Sequence, residues 1–181
     1  MSTKPRATIE DLYKVKGKAE LVNAEIVEMP PSGDDPSRAS LSIAMSLRQY
    51  ERRTGQGRAY TDGAGFTVHL PHRESLSPDA AYHLGPRTGM RFLEGAPVFA
   101  VEVRSEHNYG PAAERAMQEK HADYFACGTL VVWGVDLLSP DVIKSFKASD
   151  PDNLVIFRRV DIADAEPAVP GWRMAVEELF A

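Results

Sequence analysis

Cysteine is almost absent from this 181-residue chain, in which Cys127 stands alone. A single thiol excludes an internal disulfide framework and any multi-cysteine zinc site, and it suits a reducing compartment. Cys127 itself reads as a small buried hydrophobe. Long apolar runs are missing too. The longest uncharged apolar stretch, Gly128 to Val135, falls well short of the roughly 18 residues a membrane helix needs. The segment from Met1 to Lys14 has no apolar signal region, so the expected location is cytoplasmic, with no membrane partner. Basic charge is in deficit: 21 Lys and Arg against 26 Asp and Glu give a net charge of −5. That excludes a protein that coats nucleic acid by electrostatics alone. The deficit is uneven, with +2 over residues 1–60, −2 over 61–121 and −5 over 122–181.

What remains is an ordinary globular composition, 43% hydrophobic and 26% charged, with a mean hydropathy of −0.31. Length and the lack of repeats or long linkers predict one domain over residues 1–181. Thr8-x-x-Asp11 has the form of a capping box and predicts a short helix running to about Lys14. Glu20 to Met29 reads as two strands around an Asn23-Ala24 turn, a weaker hairpin signal than Asn-Gly because alanine tolerates positive φ poorly. After a loop from Pro30 to Pro36, Leu41, Ala44, Met45, Leu47 and Tyr50 recur at helical spacing and predict an amphipathic helix from Ser37 to about Arg53. Strands are expected at Gly65–Leu70, Pro78–His83 and Pro97–Ser105, and a second helix from Pro111 to Ala126, with Gly128 just past its end. A buried strand at Thr129–Val135, a hairpin pair at Val142–Phe146 and Leu154–Arg158, and a short final helix at Met174–Phe180 complete the reading. A helix between the strands at 97–105 and 129–135 makes a parallel crossover. The fold class is therefore α/β or α+β with a mixed β-sheet flanked by helices.

The strand Pro97–Ser105 is the most informative segment. Side chains alternate faces with period two, so Val98, Ala100, Glu102 and Arg104 share one face of a strand that is otherwise entirely apolar. The competing reading is a structural ion pair. On the second helix, Ala113, Met117, Lys120, Tyr124 and Cys127 form the stripe expected to face the sheet. An ammonium in that stripe needs an anion, and Glu102 on the preceding strand is within reach of a crossover helix; otherwise Lys120 snorkels to solvent. Ser77-Pro78-Asp79 adds a carboxylate at the start of a strand. Two carboxylates with two cations suit phosphodiester hydrolysis, in which hard oxygens hold Mg²⁺ and cations orient water or offset developing charge.

At these positions the chain resembles the Uma-two family of restriction-endonuclease-like proteins, which carry the PD-(D/E)XK nuclease fold. The resemblance rests on Glu20 to Pro30, Ser77-Pro78-Asp79, Val101 to Ser105, Lys120 with Tyr124, Gly128 followed by Trp133 and Asp136, and Pro170-Gly171-Trp172 with Glu178 to Phe180. It implies a restriction-endonuclease-like core and an endonuclease dependent on Mg²⁺ (or Mn²⁺), with nucleic acid, DNA first, as substrate. Asp79 and Glu102 would bind the metal with the backbone carbonyl of Val103, and Glu20 would be the additional acidic residue of the catalytic site, contributed from near the N-terminus. Arg104 stands where the wider superfamily has lysine, and Lys120 would supply the missing ammonium. Arginine stays protonated, so Arg104 can clamp phosphate but cannot act as a base; Lys120, if its pKa is altered, would position a water.

Ala24, where the family usually has glycine, and Glu106-His107 are further departures. Arg104 and the acidic last third keep open a non-catalytic binding or assembly protein that retains the fold, and a hydrolase of a small phosphorylated or acyl substrate is not separable from sequence. His69-x-x-His72 with His83 raises a transition-metal alternative. Arg48, Arg52, Arg53 and Arg58 are candidates for phosphate contact, and the apolar C-terminal elements suit a homodimer.

Overall fold

The computed structural model describes residues 5–181. In chain order the elements are α1 (Ile9–Leu12), β1 (Ala19–Val22), β2 (Glu25–Glu28), α2 (Asp34–Thr54), β3 (Arg58–Thr61), β4 (Phe66–Leu70), β5 (Arg73–Leu76), β6 (Ala80–His83), β7 (Leu93–Glu94) and β8 (Phe99–Val103). They continue with α3 (Pro111–Ala126), β9 (Val131–Val135), β10 (Ile143–Lys147), β11 (Asp150–Phe157), β12 (Ile162–Asp164), β13 (Arg173–Ala175) and a terminal 3-10 turn, Val176–Phe180. The mixed α+β class expected from sequence is the class observed.

Three sheets form: β11-β10-β9-β8-β6-β3, β2-β1-β5-β4-β7, and the pair β12-β13. The six-stranded sheet is the organising layer. Ala39, Ile43, Leu47 and Tyr50 of α2 pack with Phe99, Val101 and Trp133 on one face, joined by Trp172 and Met174 from the C-terminal segment. On the other face Ala81, Ala100 and Val132 meet Tyr124 of α3 and Phe66, Val68 and Leu76 of the five-stranded sheet. Period-two alternation along β8 thus separates two apolar cores, and Glu102 follows Ala100 onto the α3 side.

β8 and β9 are parallel, with Glu102 level with Gly134, and α3 makes the crossover between them, as expected. Pro111 opens α3 and Gly128, with φ of 101°, lies just past its end. The capping box at Thr8 and Asp11 forms with both hydrogen bonds. The β1–β2 hairpin closes through Asn23 and Ala24 at φ of 52° and 58°, the left-handed pair that a tight primed turn demands. α2 begins earlier than Ser37, at Asp34, because Pro36 is tolerated within a first helical turn. The helix expected over Met174–Phe180 is instead β13 followed by a 3-10 turn, since Arg173–Ala175 pairs with β12.

Candidate active site

β6 runs antiparallel to β8 with Ala80 opposite Val101, so one residue earlier Asp79 stands level with Glu102. The backbone fixes this pairing: Asp79 N–H donates to the Val101 carbonyl at 2.9 Å, and Val103 N–H donates to Asp79 Oδ2 at 2.7 Å. Asp79, Glu102, Val103, Arg104 and Lys120 all line one cleft of about 290 Å³ between the strand ends and α3, with Lys18 and His107 at its walls.

Lys120 does not snorkel. Its ammonium lies 2.8 Å from Glu102 Oε1 and 2.9 Å from Glu20 Oε1, and Tyr124 Oη donates to Glu102 Oε1 at 2.6 Å. Burial works against the Lys120 charge, but Glu102 and Glu20 outweigh it and raise its pKa, so it remains an ammonium at neutral pH. The two carboxylates thus favour the charged form, and an ammonium donates hydrogen bonds and does not act as a base. Burial pushes the Glu102 carboxyl up; the negative charges of Asp79 and Glu20 push the same way, and it stays above the usual carboxylate range despite Lys120 and Lys18.

Glu20 is brought to the cluster but not to the cleft wall. It is 5% exposed, and its oxygens are taken by Arg73 Nη1 at 2.6 Å, the Ser77 N–H at 2.8 Å and Lys120. Burial is the largest influence on its carboxyl and opposes ionisation; Lys120 and Arg73 together overcome it and hold the pKa below the usual range. Glu20 thus anchors Lys120 from behind. Arg104 lines the cleft, but its guanidinium is committed to Glu114 at 2.5 Å and to the Asn108 carbonyl at 3.0 Å, over the Tyr109 ring. The strand ends at Val103, so the alternation that places Glu102 no longer governs Arg104.

Lys18, Asp62, Arg73 and Asp123 join the network without having been singled out from sequence. Lys18 bridges Asp79 Oδ1 and Asp62 Oδ1, each at 2.6 Å. Arg73 Nε donates to Asp123 Oδ2 at 2.6 Å, and Asp123 Oδ1 meets His72 Nε2 at 2.7 Å. Lys18 alternates with Glu20 ahead of β1, which was the one available clue. The network sets the carboxylates of Glu20, Asp62, Asp79, Glu102 and Asp123 against the cations of Lys18, Arg73 and Lys120, leaving negative charge in excess.

The transition-metal alternative fails on geometry: His69 pairs with Glu94, His72 with Asp123, and His83 is buried against Phe66. Among the described residues no group of three or more His, Cys, Asp or Glu side chains is placed to hold an ion. Asp79 and Glu102 offer hard oxygens from two side chains, and Val103 lines the same cleft. That donor set fits a magnesium-like ion, which is usually held by one or two carboxylates with water and substrate completing the shell.

No protein of curated function matches the chain. A crystal structure described as a "putative nuclease belonging to DUF820" from Anabaena variabilis superposes with a TM-score of 0.73, covering 96% of this chain and 97% of that one at 14% identity. At that identity the likeness is one of fold. No helix among the described residues is long and apolar enough to cross a membrane. The family model Uma2, described as "Putative restriction endonuclease", matches residues 7–177, and the chain belongs to that family.

Proposed function

We propose that the protein is a nuclease that hydrolyses phosphodiester bonds, DNA first among them, with a divalent cation (Mg²⁺ or Mn²⁺) held by Asp79, Glu102 and the Val103 carbonyl. The supporting observation is the level pairing of Asp79 and Glu102 in an open cleft whose surrounding network has more carboxylates than cations. Such a cation supplies Lewis-acid polarisation of the phosphate and a bound water of lowered pKa. The chain's own residues do the rest. Lys120, held as an ammonium by Glu20, fixes the Glu102 carboxylate and directs positive charge into the cleft. Tyr124, whose pKa burial raises well above the ordinary value, stays protonated and donates to Glu102. Arg104 adds charge at the cleft wall from a fixed position.

Cleavage of single- and double-stranded DNA and RNA with Mg²⁺ or Mn²⁺ tests this reading. Loss of at least about a hundredfold in rate is expected for Glu102→Ala, in line with removal of a metal ligand or its orienting partner; unchanged cleavage would remove the assignment. A second reading, a non-catalytic binding protein that retains the fold, draws on the engagement of Arg104 and both lysines in ion pairs. It predicts no Mn²⁺ uptake in calorimetry, whereas the nuclease reading predicts uptake that Asp79→Asn abolishes.

A further inference from the structure

A second concave site lies at the other end of β6. Arg58 on the neighbouring strand pairs with His83, four residues along from Asp79, which places it roughly 13 Å away along the strand at about 3.3 Å per residue. There Arg48 of α2, Arg58 of β3, and Arg87 and Arg91 from the segment between β6 and β7 surround a cavity of about 360 Å³. Glu51 is the one acid in its lining, and its carboxylate is already engaged by Arg48 and by the Ala59 N–H at 2.9 Å. A chain of net charge −5 has therefore gathered positive charge from three separate segments into one hollow, on an edge that the cleavage cleft does not reach.

Three of the four arginines, Arg48, Arg58 and Arg91, are held and still have donors to spare. Arg58 Nε donates to Tyr60 Oη at 3.0 Å and one terminal nitrogen reaches the Gly85 carbonyl. Arg91 bonds Glu10 and stacks over the Tyr13 ring at 4.0 Å. Arg87, exposed, has no hydrogen-bond or ion-pair partner among the described residues. A guanidinium carries five N–H donors in a planar fork, so one or two anchoring contacts leave several N–H groups on each side chain for a ligand. Arginine forks converging on one hollow suit an oxyanion, and four of them around a single cavity suit the several oxygens and higher charge of a phosphate group. Of the arginines singled out from sequence, Arg48 and Arg58 belong to this hollow; Arg52 and Arg53 do not, and Arg53 lies over the Tyr50 ring.

We propose that this hollow binds a phosphate group of a nucleic acid backbone, so that the substrate is gripped at a point separate from the bond being cut. The identity of the phosphate's bearer rests on the nuclease reading; phosphate binding does not. At about 3.4 Å of duplex rise per nucleotide, the offset along β6 corresponds to about four nucleotides.

The test is fluorescence anisotropy of labelled single-stranded and duplex 20-mers with the full chain in EDTA, where cleavage is suppressed, together with calorimetric titration of inorganic pyrophosphate. Arg87→Ala and the pair Arg87→Ala with Arg91→Ala are compared with the parent, and their melting curves establish that the fold is intact. The expected result is an oligonucleotide affinity weakened about three- to tenfold by the first change and further by the second. The salt dependence should become shallower by about one ion for each arginine replaced, and pyrophosphate binding should weaken in parallel. Affinities within twofold of the parent for both probes overturn the site. Loss of pyrophosphate binding with oligonucleotide binding unchanged overturns the nucleic-acid assignment, since the hollow then serves a small phosphorylated molecule. Failure of the nuclease reading shows elsewhere, as cleavage that survives Glu102→Ala.

Discussion

Lys18 places its ammonium 2.6 Å from Asp79 Oδ1, on the cleft side of the strand pair that also presents Glu102. Burial works against that charge, but Asp79 and Glu102 raise the lysine's pKa above its ordinary value. The ammonium therefore holds a position beside the oxygens that a divalent cation would use. Replacing Lys18 by Met removes both the competing hydrogen bond and the repulsion of an incoming cation. Calorimetric titration of Lys18→Met with Mn²⁺ should show affinity raised at least about tenfold, equivalent to ~1.4 kcal/mol. Weaker binding would mean instead that Lys18 organises Asp79 for the metal.

Glu20 and Lys120 form the buried heart of the network, with side-chain exposures of 6% and 15%. Removing one partner of such a pair strands the other in a dry environment, and the cost typically reaches about 3 kcal/mol or more. Glu20→Gln leaves Arg73 and Lys120 facing a neutral group, so chemical denaturation should show stability reduced by that order. A Glu20→Gln, Lys120→Met double variant should recover part of the loss. A double variant that loses as much as the sum of the two single changes would show that the residues do not act as a pair.

How legible these groups were depends on the range over which each is placed. Glu102 was readable because a single carboxylate interrupts the apolar alternation of β8, and Lys120 because it breaks an apolar stripe on α3; both signals are local. The ladder of Arg73, Asp123 and His72 joins residues about fifty positions apart, and no periodicity reports such a contact. β3, β5 and β7 are short or polar, and they are strands because partners pair with them, as Arg58–Thr61 does with Ala80–His83. The final helix was misread for the same reason: Arg173–Ala175 takes its conformation from β12 and not from its own apolar spacing.

Ala24 sits at φ of 58° in the turn that carries β1, and with it Glu20, into the site. A Cβ in the left-handed region costs roughly 1–2 kcal/mol, part of which glycine gives back as unfolded-chain entropy. Ala24→Gly should raise stability by about 1 kcal/mol, seen as a melting temperature higher by about 2–4 °C for a chain of this size. An unchanged or lower melting temperature would show that the turn accepts alanine without strain.

His121 gives the protein an acid-side weakness. Its ring is 7% exposed and packs on Phe146 at 4.7 Å, and its Nε2 is buried without a hydrogen-bond partner. Burial first, then the charges of Lys120 and Arg104, lower its pKa from 6.5 to about 4. The unfolded chain therefore binds a proton here between about pH 6.5 and pH 4 that the folded chain refuses. Stability from this group is intact above pH 6.5 and declines as the pH falls towards 4, by about 2 kcal/mol at pH 5 and on the order of 3 kcal/mol in full. His121→Leu removes the titration while keeping an apolar contact for Phe146. The advantage of the parent over this variant in urea unfolding should shrink by about 2 kcal/mol between pH 7 and pH 5. Other groups, Glu102 among them, titrate in both proteins and largely cancel in that difference. A difference that stays constant over the same interval would mean that the ring takes up its proton in the folded state, and that the burial around it does not exclude charge.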